Sequence, residues 1–267
     1  MLVLTPRQSQ IVTAARQSGN LFVGNLALRF DVRPKTIRKD LNELCNNRLP
    51  SRTHGGAMLS SGVQSMAYDS RRKISAGEKQ LIGQHAAKFL PSNCSLFINI
   101  GTTTEEVARA LIHHGRLLVI TNNIHITTIL MPYANTELMI VGGVVRRTDG
   151  GVIGEQAIDM ITKFNVDHVV MGVSANDDDS ALLDFDYREV RVAQAIMQNS
   201  RNVVLVSDRM KFSHSAPVRI GHLSQVDIFV IDVQPPDSII ELCEYKGVQI
   251  DVAGAQTELT PEVTSIS

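Results

Sequence analysis

The sequence predicts an α/β protein in two parts: a small basic helical head, and a larger body built on a mostly parallel sheet with helices on both faces. Three observations lead there. Residues 1–56 hold nine Lys/Arg against three Asp/Glu, a net +6, whereas the rest of the 267-residue chain holds 17 against 24, a net −7. Within the head, three short helical patterns follow one another and end in a basic extended segment. From Cys94 onward, apolar strands alternate with amphipathic helices. A hydrophobic content of 43% is enough for a real core, and the length suits one large domain or two modest ones.

Composition also excludes several classes. No apolar run approaches the ~18 residues of a membrane helix. The N-terminus, Met1-Leu2-Val3-Leu4-Thr5-Pro6, carries no basic-then-apolar export signal, so a cytoplasmic location and no membrane partner are expected. Cys45, Cys94 and Cys243 are odd in number and widely spaced, which argues against a disulfide framework or a cysteine zinc site. The eight histidines show no HExxH spacing, and Asp177-Asp178-Asp179 lacks the spaced ligands of a calcium loop and reads as a solvated turn. No metal, cofactor or catalytic residue is expected.

In the head, a first helix is expected over 5–17, with Ile11, Val12 and Ala15 on one face and Gly19 closing it. Leu26, Ala27 and Phe30 mark a second helix, and Asp31-Val32 the turn after it. Pro34 opens a third helix near its first turn, where a missing N–H does no harm. Ile37, Leu41 and Leu44 face inward at i, i+4 and i+7, while Lys35, Arg38, Lys39 and Asn42 share the opposite face. Residues 49–52 and His54-Gly55-Gly56 read as a short extended segment with a flexible tip. Helix, turn, cationic helix and basic wing make a winged helix-turn-helix, which can place one helix in the DNA major groove. Lys35, Thr36, Arg38, Lys39 and Asn42 are then candidates for base edges and nearby phosphates, and Arg33, Arg52 and His54 for backbone positioning.

These residues carry a family likeness. Thr36-Ile37-Arg38-Lys39-Asp40-Leu41-Asn42-Glu43-Leu44, with Arg52-Thr53-His54-Gly55-Gly56-Ala57 behind it, resembles the DNA-binding head of the DeoR family of bacterial sugar-metabolism regulators. Members usually carry Ser where this chain has Phe22 and Arg33. Losing such a helix cap typically costs ~1 kcal/mol, and Arg33 can instead reach a DNA phosphate.

In the body, strands are expected at 95–99, 117–121, 137–141, 167–173, 202–207, 227–232 and 248–252. Helices are expected near 105–113, 124–131, 155–164, 189–199 and 236–246. A helix opening at Arg71-Arg72-Lys73 is expected to continue through Leu81, Ile82 and Ala86. Ligands of such sheets sit at the carboxyl ends of strands, and there the sequence places glycines and polar residues. Gly101-Thr102-Thr103-Thr104 opens directly into a helix, so close backbone approach, outward N–H groups and hydroxyls suit a phosphate, although Gly-Thr before a helix is also an ordinary capping turn. Asn122, Asn123, Gly142 and Gly143 end the next two strands. Asp184 and Asp186 could accept hydrogen bonds from ligand hydroxyls or simply cap a helix. Lys211 could neutralise a phosphate or be an exposed loop lysine.

The body is similar to the effector-sensing domain of the same family. Phe97-Ile98-Asn99-Ile100-Gly101-Thr102-Thr103, Thr121-Asn122-Asn123, Asp149-Gly150-Gly151-Val152-Ile153-Gly154-Glu155 and Leu182-Leu183-Asp184-Phe185-Asp186-Tyr187-Arg188-Glu189 carry the likeness. It implies a Rossmann-like, mostly parallel α/β sensor domain related to ribose-5-phosphate isomerase and the coenzyme-A transferases. It also implies a repressor, dimeric or tetrameric, bound to double-stranded operator DNA and released by a phosphorylated small metabolite. That effector would be sn-glycerol-3-phosphate or another sugar or polyol phosphate. The same residues leave an activator open, and a sugar-phosphate isomerase as a remote alternative. The expected division is 1–57 for the DNA-binding domain, 58–80 for a linker and connecting helix, 81–253 for the sensor and 254–267 for a disordered tail.

Overall fold

Ile37, Leu41 and Leu44, one turn or two apart on the third expected helix, pack into the core of the first of two compact units. The computed structural model describes residues 5, 7–8, 10–11, 20–46, 50–53, 56–59, 68–176, 179–213 and 216–254. Contacts divide the chain into two compact units, Met1–Ile74 and Ser75–Ser267. The tail expected at 254–267 lies outside the described residues beyond Gly254.

In the first unit, Thr5 and Gln8 form a reciprocal capping box, Gln8 N–H donating to Thr5 Oγ1 at 3.2 Å and Thr5 N–H to Gln8 Oε1 at 3.0 Å. Residues 7, 8, 10 and 11 are helical, and the expected continuation through 12–17 lies outside the described residues. Helix α1 (Val23–Arg29) and helix α2 (Pro34–Asn46) bring Val23, Leu26 and Ala27 against Ile37, Leu41, Leu44 and Ile11. Between them Asp31 adopts a left-handed φ of 50°. Val32 N–H bonds to Ala27 O and Asp31 N–H to Leu28 O, the double closure that ends a helix sharply. Strands β1 (Asn20–Phe22), β2 (Pro50–Thr53) and β3 (Gly56–Leu59) form an antiparallel sheet in the order β1-β3-β2. The wing is therefore three-stranded where one extended segment was expected, because strands of three or four residues leave almost no periodic signal.

The helix expected to run on from Arg71 is two helices, α3 (Tyr68–Lys73) and α4 (Ala76–Ala87). Ser75, at φ 51°, breaks them, and the break coincides with the division between units. The span 58–80, expected as a linker, contains the end of β3, all of α3 and the start of α4.

The second unit is built on seven parallel strands: β4 (Cys94–Ile98), β5 (Leu117–Thr121), β6 (Thr136–Ile140), β9 (Val166–Met171), β12 (Ser200–Ser207), β14 (Ile228–Ile231) and β15 (Gln249–Val252). Their order is β15-β14-β12-β9-β4-β5-β6. The chain thus starts at β4, runs outward through β5 and β6, then returns to the other side of β4 at β9 and proceeds to β15. Helices α5 (Thr102–Ala110) and α6 (Ile124–Leu130) cover one face with α4; α7 (Glu155–Ile161), α8 (Tyr187–Gln198) and α9 (Asp237–Lys246) cover the other. Crossovers of one hand must change face when they change direction along the sheet, and these do.

Both faces are consequently apolar, and strand alternation sorts side chains between them. Phe97, Val169, Leu205 and Phe229 pack with α7–α9, whereas Leu96, Ile98, Val170, Val204 and Val230 pack with α4–α6. Two small additions were not expected. Strands β7 (Val144–Val145) and β8 (Val152–Ile153) form an arm between β6 and α7. Strands β10 (Ala175–Asn176), β11 (Ala181–Asp184) and β13 (Val218–His222) form an antiparallel sheet. No helix among the described residues is long and apolar enough to cross a membrane.

Helix α4 positions α5 by close approach: a Cβ at Gly83 would stand 2.6 Å from the main-chain carbonyl carbon of Glu106. Gly→Ala in a helix normally stabilises by up to ~1 kcal/mol. Here backbone meets backbone, so Gly83→Ala is expected to lower unfolding stability by ~1–3 kcal/mol, the usual cost of overpacking. Denaturant unfolding of the full chain measures it, and a stabilised variant would show that the helices part freely.

Candidate functional site

Two constellations emerge, one in each unit. In the first, α2 buries Ile37, Leu41 and Leu44 and leaves Lys35, Arg38, Lys39 and Asn42 exposed on one side. Arg33 is exposed at the N-cap position before Pro34, and Thr36 is half-buried. The acids of the helix are tied down. Asp40 is buried and takes a bidentate bond from Arg7, at 2.6 and 3.1 Å, and Glu43 Oε2 accepts from Gln8 Nε2 at 2.7 Å. What α2 presents outward is therefore predominantly cationic. Arg52 lies in β2, with its side chain outside the described residues, as is the whole of His54.

In the second unit, the chain's reversal puts the topological switch point at the carboxyl ends of β4 and β9, the place where sheets of this topology take ligands. Gly101 occupies the N-cap of α5, which begins at Thr102 rather than at 105 as expected. The first N–H groups of α5 have no intrahelical acceptor. Thr102 and Thr103 are buried, and Thr104 is fully so. Thr104 supplies no outward hydroxyl: its Oγ1 donates to Asn99 O at 2.7 Å and Gly101 O at 2.8 Å, locking the turn. Glu105, buried in the first turn of α5, faces Asn123 Nδ2 at 3.5 Å and offsets part of the terminus's positive potential.

Beside this turn, β5 ends in Asn122 and Asn123. Asn123 caps α6, its Oδ1 accepting from His125 N–H at 2.8 Å. Gly142 and Gly143 are exposed at the tip of β6, where the arm begins. A Cβ at Gly143 would approach Ile153 O to 2.8 Å, so the glycine lets the arm fold back. The returning half of the arm meets the strand tips: Gly151 bridges Asn123 and Val152 N–H donates to Asn122 O.

The carboxylates gather round a residue that sequence reasoning missed. Arg146, in the arm, holds Asp149 at 2.6 Å, Glu189 at 2.5 Å and Asp186 at 3.3 Å. Burial works against its charge, yet the hydrogen bonds it donates to Asp149 and the charge of Glu189 raise its pKa. Asp186 caps α8, and its carboxyl is held below the usual range first by Arg188. Glu189 is pushed upward, by burial first and by the neighbouring Asp184 second. Asp184, buried at the end of β11, accepts from Ser174 Oγ at 3.1 Å and from Phe185 N–H at 2.6 Å. The β11 segment, which was not expected, carries no alternation because all four of its residues are buried. The only sequence trace of Arg146 is its place in a polar run, Arg146-Arg147-Thr148-Asp149, between two glycine pairs.

Lys211 lies in the 3-10 turn Arg209–Ser213 after β12, at the same sheet edge but two strands from Gly101. Of the acidic run, Asp179 is exposed and paired with Arg219 at 2.7 Å, and 177–178 lie outside the described residues. No group of three or more His, Cys, Asp or Glu among the described residues is disposed to hold a metal ion.

Each constellation lies in a segment that matches a known domain family. Residues 7–62 match the DeoR-like helix-turn-helix domain and residues 74–233 the DeoR C terminal sensor domain. The chain is 39% identical over 248 residues to the glycerol-3-phosphate regulon repressor of Escherichia coli (strain K12), spanning 93% of this chain and 98% of that one. It is 41% identical over 235 residues to the protein of the same name from Haemophilus influenzae, spanning 88% and 91%. Among solved structures, ribose 5 phosphate isomerase A from Neisseria gonorrhoeae aligns over 50% of this chain and 52% of its own, at 14% identity and a TM-score of 0.36, too distant to bear on chemistry.

Arg146→Met is expected to cost ~3–5 kcal/mol at pH 7, because it leaves clustered carboxylates without their shared cation. Carboxylates crowded in this way take up protons more readily folded than unfolded, so the variant's deficit should shrink as pH falls towards 5. Denaturant unfolding at the two pH values tests this, and a deficit that ignores pH would point to lost packing alone.

Proposed function

This chain belongs to the DeoR family of transcriptional regulators and is a DNA-binding repressor, and we propose that α2 reads its operator while the strand-tip crevice binds the small phosphorylated metabolite that releases it. The observation that carries the DNA half is the cleared face of α2, where Lys35, Arg38, Lys39 and Asn42 stand exposed while Asp40 is neutralised by Arg7. Phosphate contacts supply most of the affinity and base-edge contacts the sequence preference. Two heads acting on paired half-sites require a dimer or higher oligomer of this chain.

The ligand half rests on the N-terminal turn of α5 at the switch point, where N–H groups without helical acceptors suit an anion. Arg146 is occupied by its three carboxylates, so the main-chain groups at Gly101–Thr103, with Lys211 as a further cation at that edge, take the phosphate. Two relatives named glycerol-3-phosphate regulon repressors make sn-glycerol-3-phosphate the first effector to test. Ala181 stands where the family pattern has glycine, and Ser213-His214-Ser215 where it has Gly-Arg-Asn, which favours a different polyol or sugar phosphate as the second reading. Binding shifts the repressor only by its differential affinity for the DNA-bound and released states.

Operator binding at fixed salt, titrated with sn-glycerol-3-phosphate and with free glycerol, tests the reading: release by the phosphate ester alone is expected. Thr102→Val should bind operator and resist release, and a normally responsive variant would remove the crevice from the account. Arg33→Ser should reduce the slope of log affinity against log salt by ~1, the mark of one lost phosphate contact. An unchanged slope would make Arg33 a bystander.

A further inference from the structure

Asn122 stands apart from the other polar groups at the strand tips. It is 1% exposed, and its side-chain Oδ1 is buried without a hydrogen-bond partner among the described residues. Its Nδ2 faces Val152 O at 3.4 Å, and its main-chain O accepts from Val152 N–H at 2.7 Å. Turning the amide over would not relieve the oxygen, because it would then confront the Val152 carbonyl, an acceptor against an acceptor. The arm therefore fixes which way this side chain points. A buried amide oxygen held without a donor is costly, and such exceptions call for an explanation.

The neighbourhood says what kind of group would satisfy it. Asn122 ends β5, hydrogen-bonded alongside β4, whose continuation is the Gly101–Thr104 turn. That turn presents N–H donors suited to an anion, while the Asn122 oxygen is an acceptor. A ligand that fills the crevice must bring negative charge to one end and hydrogen-bond donors to the other.

We propose that Asn122 is a specificity-determining residue whose Oδ1 accepts a hydrogen bond from a hydroxyl of the bound phosphate ester. This rests on the reading of the crevice as the phosphate site. A site that buries an acceptor for a hydroxyl rejects an analogue lacking it, since the analogue leaves that acceptor unpaired.

The test is calorimetric binding to the full chain of two probes, sn-glycerol-3-phosphate and propyl phosphate, which share the phosphate and differ in hydroxyls. The wild-type chain is expected to prefer the glycerol ester by roughly 10- to 100-fold. In Asn122→Leu, of similar volume, that preference should fall to near unity, with propyl phosphate bound as well as before or better. Equal binding of both esters by the wild-type chain overturns the hydroxyl assignment and leaves the phosphate site standing. A preference that survives in Asn122→Leu overturns the role of Asn122. Should that variant fail to show a cooperative melt, Asn122→Ser and the wild-type preference decide the matter by the same criteria. Failure of both esters and of inorganic phosphate to bind the wild-type chain overturns the crevice reading and this proposal with it.

Discussion

Parallel strands can be joined only by crossovers, and crossovers of one hand can change direction along a sheet only by changing face. That constraint shapes the whole second unit. Starting at β4, the chain spends α5 and α6 on one face in reaching β6, then α7, α8 and α9 on the other in reaching β15. The strands must then be apolar on both sides, as Phe97 against Leu96 and Ile98 illustrates. All seven carboxyl ends lie along one edge, and the reversal between β4 and β9 puts the topological switch point there. The first turn of α5 faces that edge because α5 follows the strand at which the reversal occurs.

Charge is managed in both units by confining acids to a partner arginine. In the head, Arg7 removes Asp40 from the outward face of α2, so a helix containing two acids still presents cations. In the body, Arg146 collects Asp149, Asp186 and Glu189. The arm that carries Arg146 also touches the tips of β5 through Gly151 and Val152. It thereby joins the tip of β5 to the first turn of α8.

Much of this was legible beforehand. The α2 core positions, the seven parallel strands and α5 to α9 all appear in the periodicity, with ends displaced by a few residues. Thr102 and Tyr187 begin their helices before the apolar pattern does, since caps and first turns are polar. The arm and the three-stranded antiparallel sheet were not legible. Val144–Val145 and Val152–Ile153 are two residues each, and Ala181–Asp184 is buried throughout, so none alternates. Thr104 reads in sequence as one more hydroxyl for a ligand, yet its side chain is consumed by the carbonyls of Asn99 and Gly101.

By itself, then, the amino-acid order determined the division into a cationic head and an acidic body, the element types and the strand ends where polar residues collect. Those follow from local periodicity and from charge, which a linear reading registers. Folding alone decided that Arg146 would draw together residues from the arm and α8, that Asp40 would be neutralised from the first helix, and that the Asn122 oxygen would be buried with nothing to accept. Such outcomes depend on which backbone segments meet, and a hydrogen bond needs donor and acceptor within about 3 Å at a set angle, a condition that no spacing along the chain encodes.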